Sequence, residues 1–156
     1  APTQRFYSDI FGNHLGGGRG FVVQQDGPNT NQFTASVGVG NNNWRLTQPV
    51  ALQPSKWQKL AMVRTATAVQ LFVDGKKRVE RLTNERMKPS PLTFRVGLGI
   101  TIVERCFRGE IDEVKVYRGL PKRYRQSIAT VDRSQFAALA SYCRILMSAN
   151  EFLYVD

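Results

Sequence analysis

Three groups of side chains have the types and spacing for chemistry. In Gly40-Asn41-Asn42-Asn43-Trp44, three amides precede an indole. That combination suits a sugar, because the ring can stack on a pyranose face while amides hydrogen-bond its hydroxyls. The competing account is local: Asn favours turns through its own backbone preferences, and the Trp would then be a core residue. Lys76, Lys77, Arg78, Arg81, Arg86 and Lys88 make the densest positive stretch. They read either as a polyanion contact or as a solvated edge strand whose lysines discourage edge-to-edge pairing. Glu110-Ile111-Asp112 supplies two carboxylates two positions apart. On strand parity Asp112 shares a face with Val114 and Val116; if that face is core, the carboxylate needs calcium, an arginine or backbone N–H groups beside it.

Other reactive groups are scarce. His14 is the sole histidine, which leaves little room for Ser/His or Cys/His catalysis. Cys106 and Cys143 have neither the number nor the spacing of a zinc site. They read as buried thiols, with a disulfide tying the C-terminal tail to the sheet as the alternative in an oxidising compartment. Gly16-Gly17-Gly18-Arg19-Gly20 would need a following helix to cradle phosphate, and Phe21-Val22-Val23 follows instead. This is a hairpin loop entering a strand.

The elements that must position these groups are strands. Val69, Leu71 and Val73 alternate with Gln70 and Phe72, Leu60 and Met62 share a face, and Asp74-Gly75 supplies a tight reversal into a strand over 77–82. Lys56–Arg64, Val69–Lys76 and Lys77–Leu82 therefore form a three-stranded antiparallel nucleus. Alternation places Lys77, Val79 and Arg81 on one of its faces and Lys76, Arg78 and Glu80 on the other. Further strands are expected at Phe21–Gln25, Phe33–Val39, Leu92–Leu98 and Phe107–Tyr117, with 13 Gly and 7 Pro marking many turns. Near the C-terminus, Asp132 or Ser134 can cap a helix over about 132–147 with Phe136, Leu139, Ala140, Cys143 and Leu146 or Met147 on one face. Residues 151–155 then offer a final strand.

At 156 residues the chain has the length of a single domain, and 22 Lys and Arg against 12 Asp and Glu give a formal charge of +10. That field attracts polyanions such as nucleic acid, acidic headgroups or sulfated glycans. Aromatic residues do not interleave with the cations, which argues against single-stranded nucleic acid. No apolar run reaches the 18 residues of a membrane span, and no signal-peptide pattern opens the sequence.

Trp57-x-x-Leu60-Ala61-x-Val63, Val69-x-Leu71-Phe72-Val73-Asp74-Gly75-Lys76, Leu92-x-Phe94-x-Val96-Gly97 and Phe107-x-Gly109-x-Ile111-Asp112-Glu113-Val114-Lys115-Val116-Tyr117 follow one another in order. Together they resemble the laminin G-like, concanavalin A-like lectin/glucanase superfamily. The resemblance implies an all-β fold, a two-sheet antiparallel jelly-roll sandwich, over residues 1–120. It implies mostly non-catalytic modules that bind glycans or proteins, often secreted, cell-surface or periplasmic, and often with calcium, for which Asp112 is the candidate ligand. Two departures stand out. The usual leading strands are absent ahead of Phe6–Phe11, and the chain continues through residues 121–156, an expected helical extension that packs on the sandwich and repairs the missing part. A truncated domain that completes its sheet through a partner chain is the alternative, and a protein partner or a homo-oligomer is the expected assembly.

Glu110-Ile111-Asp112 also resembles the nucleophile strand of retaining β-glucanases, but the position of their acid holds Lys115. One carboxylate pair so placed cannot supply both nucleophile and acid. The expectation is a non-catalytic carbohydrate-binding module favouring acidic or sulfated polysaccharide, with Asn41, Asn42, Asn43, Trp44, Lys76, Lys77, Arg78 and Arg81 as ligand residues. A structural or protein-interaction domain and a glycoside hydrolase fragment are the rivals.

Overall fold

The structure, a computed structural model, describes residues 7–99, 106–119 and 143–147. Eleven strands are present among them: β1 (Asp9–Gly12), β2 (Phe21–Gln25), β3 (Gln32–Gly40), β4 (Asn43–Leu46), β5 (Val50–Ala51), β6 (Leu60–Arg64), β7 (Ala68–Val73), β8 (Lys76–Leu82), β9 (Arg95–Val96), β10 (Val114–Arg118) and β11 (Cys143–Met147). They form two antiparallel sheets, as a jelly-roll sandwich requires. One runs β4-β3-β2-β1-β9, with β5 also on β3; the other runs β10-β11-β6-β7-β8.

The alternation explains the core. Phe33, Ala35 and Val37 of β3, with Phe21 and Val23 of β2, meet Leu60 and Met62 of β6 and Val69, Leu71 and Val73 of β7 in one buried cluster. Each large side chain so buried contributes roughly 1.5–3 kcal/mol. Phe94 lies against both Phe11 and Phe21, at ring separations of 6.3 and 6.1 Å. The opposite face of β6 and β7 is not the solvated face that simple alternation suggests. Ala61, Val63 and Phe72 are buried there too, with Tyr117 packed on them.

The turns follow residue type. Asp74 and Gly75 both take positive φ, 53° and 74°, as a tight β7–β8 hairpin demands. Asp74 also accepts a 2.9 Å hydrogen bond from the Lys59 N–H through Oδ1, locking the hairpin to the start of β6. Asn41 and Asn42 take φ of 50° and 60° in the same manner between β3 and β4.

Four expectations need correction. Within residues 132–147, Cys143–Met147 is a strand in place of the end of a helix. It pairs with β10 on one side and β6 on the other, and nine ladder positions outweigh a weak helical periodicity. Residues 132–142 and the final strand 151–155 lie outside the described residues. The strand expected over Leu92–Leu98 shrinks to Arg95–Val96, and Val96 and Leu98 are substantially exposed, because Gly97 turns the chain at φ 68°. The strand expected from Phe107 begins only at Val114. Finally, β8 carries a bulge: Leu71 opposes Val79 while Phe72 opposes Lys77, so Arg78 is the extra residue. Lys77 therefore shares its face with Glu80, and the two form a 3.2 Å ion pair.

Candidate functional site

The side chains of β3 that do not enter the core define the site. With Phe33, Ala35 and Val37 inward, Thr34 and Ser36 face the other way. Register places Gln24 opposite Thr34, and Val22 and Leu46 opposite Ser36 on its two sides. Trp44 sits opposite Gly38 on the same face. The His14 ring meets the Trp44 ring edge-on at 6.1 Å, and His14 Nδ1 lies 3.7 Å from Asp9 Oδ2. Together these residues enclose a hollow of about 350 Å³, floored by Val22 and Ser36, walled by Trp44, Leu46 and Gln24, and lipped by His14 and the start of the glycine loop.

The glycine loop holds that lip by close approach. Gly38 and Gly40 donate backbone hydrogen bonds of 2.8 Å to the carbonyls of Gly20 and Gly18, and Asn42 donates one of 3.1 Å to Gly17. A Cβ at Gly38 would lie 2.2 Å from the Gly18 carbonyl carbon, so no other residue fits this crossing without moving backbone.

Two hydroxyls in this face stand out. Thr34 and Ser36 are each 2% exposed, and neither Thr34 Oγ1 nor Ser36 Oγ has a hydrogen-bond partner among the described residues. Leaving such a group unpaired costs about 1–3 kcal/mol. Ser36 borders the hollow, but its hydroxyl oxygen is itself buried beneath the floor.

Of the ligand residues expected from the sequence, only Trp44 lines this hollow. Asn41, Asn42 and Asn43 are exposed on the β3–β4 turn, which their positive φ values and strand pairing explain. Lys76, Lys77, Arg78 and Arg81 lie on β8, at the edge of the other sheet, and do not converge with the turn. The cation beside the turn is Lys88, whose alkyl chain would lie 3.2 Å from a Cβ on Gly40. Arg45 of β4 is spent on Glu85, an exposed pair; its hydrogen bond holds the Glu85 carboxyl below the usual range. Ser36 and Gln24 are not among the residues expected from the sequence, and His14 enters there only as a lone histidine without catalytic partners. Their signal was the Thr34/Ser36 alternation, which reads as an ordinary solvent face until the register is known.

A second hollow, of about 380 Å³, opens at one end of the sandwich between residues 52–58 and 107–112. Phe33, Phe107 and Leu60 form its apolar depth; Lys56, Arg108 and Glu110 are exposed on its lining, beside Trp57, which is 55% exposed. Asp112 belongs here. It precedes β10, and Glu113 has φ 37°, which breaks the parity that would have put Asp112 on the face of Val114. Asp112 is half-buried and its Oδ1 accepts a 2.8 Å hydrogen bond from the Glu113 N–H. No group of three His, Cys, Asp or Glu residues able to hold a metal exists among the described residues. A calcium ion at Asp112 would take most of its six or more oxygens from backbone and water, so these side chains do not fit a calcium site. Lys115, where a glucanase acid would stand, is ion-paired with Glu113.

No helix among the described residues is long and apolar enough to cross a membrane. No curated protein and no solved structure matches the chain. A family model does match, over residues 2–122, which spans every strand from β1 to β10. With the two antiparallel sheets described above, that match places the chain in the concanavalin A-like lectin/glucanases superfamily, to which it belongs.

Proposed function

We propose that this is a non-catalytic carbohydrate-binding module that holds sugar in the Trp44 hollow of the six-stranded sheet. The observation that carries this reading is a hollow walled by the Trp44 indole, with the Gln24 amide and the His14 imidazole on the same lining. A pyranose matches this lining: its C–H face stacks on Trp44 and its hydroxyls reach the Gln24 amide and the His14 imidazole. Apart from His14 no titratable side chain among the described residues lines the hollow. The lining therefore favours a neutral sugar unit over the acidic or sulfated one suggested by net charge, and the β8 cations act as long-range attraction at most.

A glycan array run with and without calcium tests this, followed by titration of the best glycan against two variants. Trp44→Ala is expected to weaken binding about tenfold or more, the equivalent of about 1.4 kcal/mol. Gln24→Ala is expected to weaken binding several-fold, because it removes a hydrogen-bonding amide from the wall of the hollow. A glycan signal indifferent to both substitutions would sink the assignment to this hollow. A silent array would turn the reading to a protein-interaction domain, for which the 55% exposed Trp57 is the aromatic anchor.

A further inference from the structure

We propose that the hollow between residues 52–58 and 107–112 is a docking site for a partner polypeptide, which seats one bulky apolar side chain in its depth beside Trp57, an acidic residue at Lys56 and a basic residue at Glu110. This goes beyond the sugar hollow and stands whether or not that one holds a sugar. The depth is apolar and firmly built. Phe33 and Leu60, each 2% exposed, form it with Phe107, whose ring meets that of Phe33 edge-on at 6.3 Å. Trp57 belongs to the same lining and is 55% exposed. A lone exposed apolar side chain means little, whereas one that borders an apolar hollow of about 380 Å³ marks an interaction surface.

The walls are fixed in advance. The Leu52 N–H donates to the Asn31 carbonyl at 2.8 Å, the Gln53 N–H to Gln58 Oε1 at 2.6 Å and the Lys59 N–H to Asp74 Oδ1 at 2.9 Å, which ties the 52–58 segment at both ends and across its middle. On the facing side the Phe107 N–H donates to the Gly97 carbonyl at 3.0 Å, and a Cβ at Gly109 would lie 2.7 Å from the Phe107 ring, so the backbone there packs directly on that ring. A site so held loses little freedom on binding. The lip selects the class of occupant. Among the described residues its charges balance, Lys56 and Arg108 against Glu110 and Asp112, and neither Lys56 nor Glu110 has an ion-pair partner there. An apolar centre inside a rim of both signs, with a tryptophan at its edge, is the anatomy of a protein interface. A sugar would set hydroxyls against Phe33 and Phe107, which offer them no hydrogen bond. A fatty acid or a polyanion would meet Glu110 with like charge. A polypeptide supplies an apolar group and both charges within a few residues.

A phage library of random dodecapeptides, selected on the full chain and counter-selected on Trp57→Ala, tests this. The expected consensus is one bulky apolar or aromatic residue with Asp or Glu on one side and Lys or Arg on the other. A fluorescein-labelled consensus peptide, followed by fluorescence polarisation, is expected to bind Trp57→Ala about tenfold or more weakly than the parent. Lys56→Glu combined with Glu110→Lys changes two exposed side chains and so guards against a misfolded variant. That double variant is expected to bind the peptide about fivefold or more weakly and to recover affinity for a peptide with its acidic and basic residues interchanged. Where the array yields a glycan, its affinity for Trp57→Ala is expected to stay within about twofold of the parent's, so that the two sites fail independently. The proposal is overturned if counter-selection leaves no consensus, or if the peptide's affinity changes less than about twofold in Trp57→Ala. A double variant that does not distinguish the two peptides overturns it as well. So does a glycan whose binding requires Trp57 and that displaces the peptide, because the hollow would then be a second sugar site.

Discussion

Arg64→Met is expected to cost about 3–5 kcal/mol of folding free energy, the largest loss from any single side chain outside the hydrophobic core. Arg64 ends β6 and is 7% exposed. Its guanidinium donates to four backbone carbonyls: Thr65, Ala68 at 3.1 Å, Thr83 at 3.4 Å and Glu85 at 2.6 Å. It thereby ties the β6–β7 turn to the chain leaving β8. Methionine keeps much of the stem's packing and removes every donor, so the carbonyls lose their charge-assisted partners while still enclosed. For a domain with about 5–15 kcal/mol in total, that is a large fraction. Urea denaturation followed by tryptophan fluorescence measures it. Arg64→Lys should recover only part of the loss, since an ammonium cannot fork to four acceptors. A drop below about 1 kcal/mol for the methionine variant would show that these bonds are replaceable by water.

Ile145→Pro is expected to abolish cooperative unfolding, a loss above about 3 kcal/mol. Ile145 is the centre of β11 and opposes Val116 on one side and Met62 on the other. Proline removes an N–H from a strand with neighbours on both sides, a position sheets do not tolerate. Met62 is part of the main buried cluster, so the damage reaches the core and not only the edge. Near-ultraviolet circular dichroism and a urea melt report it, with Ile145→Val as the conservative control at under about 1.5 kcal/mol. A proline variant that melts like the parent would mean that β11 contributes nothing to the sheet.

The nucleus was legible because its signals agree. In β7, propensity, alternation and the Asp74-Gly75 turn all point the same way, and Phe21–Gln25 is bounded by the glycine loop on one side and Asp26-Gly27 on the other. What escaped reading are the points where one residue breaks the period. The bulge at Arg78 and the positive φ of Glu113 each reverse the facing of everything beyond them, and neither residue type announces it. Cys143–Met147 failed for another reason. A short apolar run fits a buried strand and a helix segment equally, and only the slot between β6 and β10 decides. At the site, Trp44 could be found by type alone. Ser36 and Gln24 could not, since they become neighbours through the β2–β3 register, and His14 reaches Trp44 through the loop that follows β1. The positive stretch misled in the opposite sense: residues adjacent in sequence are spread along a sheet edge, away from the hollow.

The internal position of β11 also orders events during synthesis. β6 ends at residue 64 and its neighbour β11 is complete only at residue 147. At a translation rate of about 5–20 residues per second, roughly 4–17 seconds separate the two on the ribosome. Through that interval β7 and β8 can zip onto one side of β6 while its other edge has no native partner to pair with. The last step in folding of this sheet thus waits until β11 has been made, and the nascent chain passes through a stage in which an apolar strand shows an open edge to whatever is nearby.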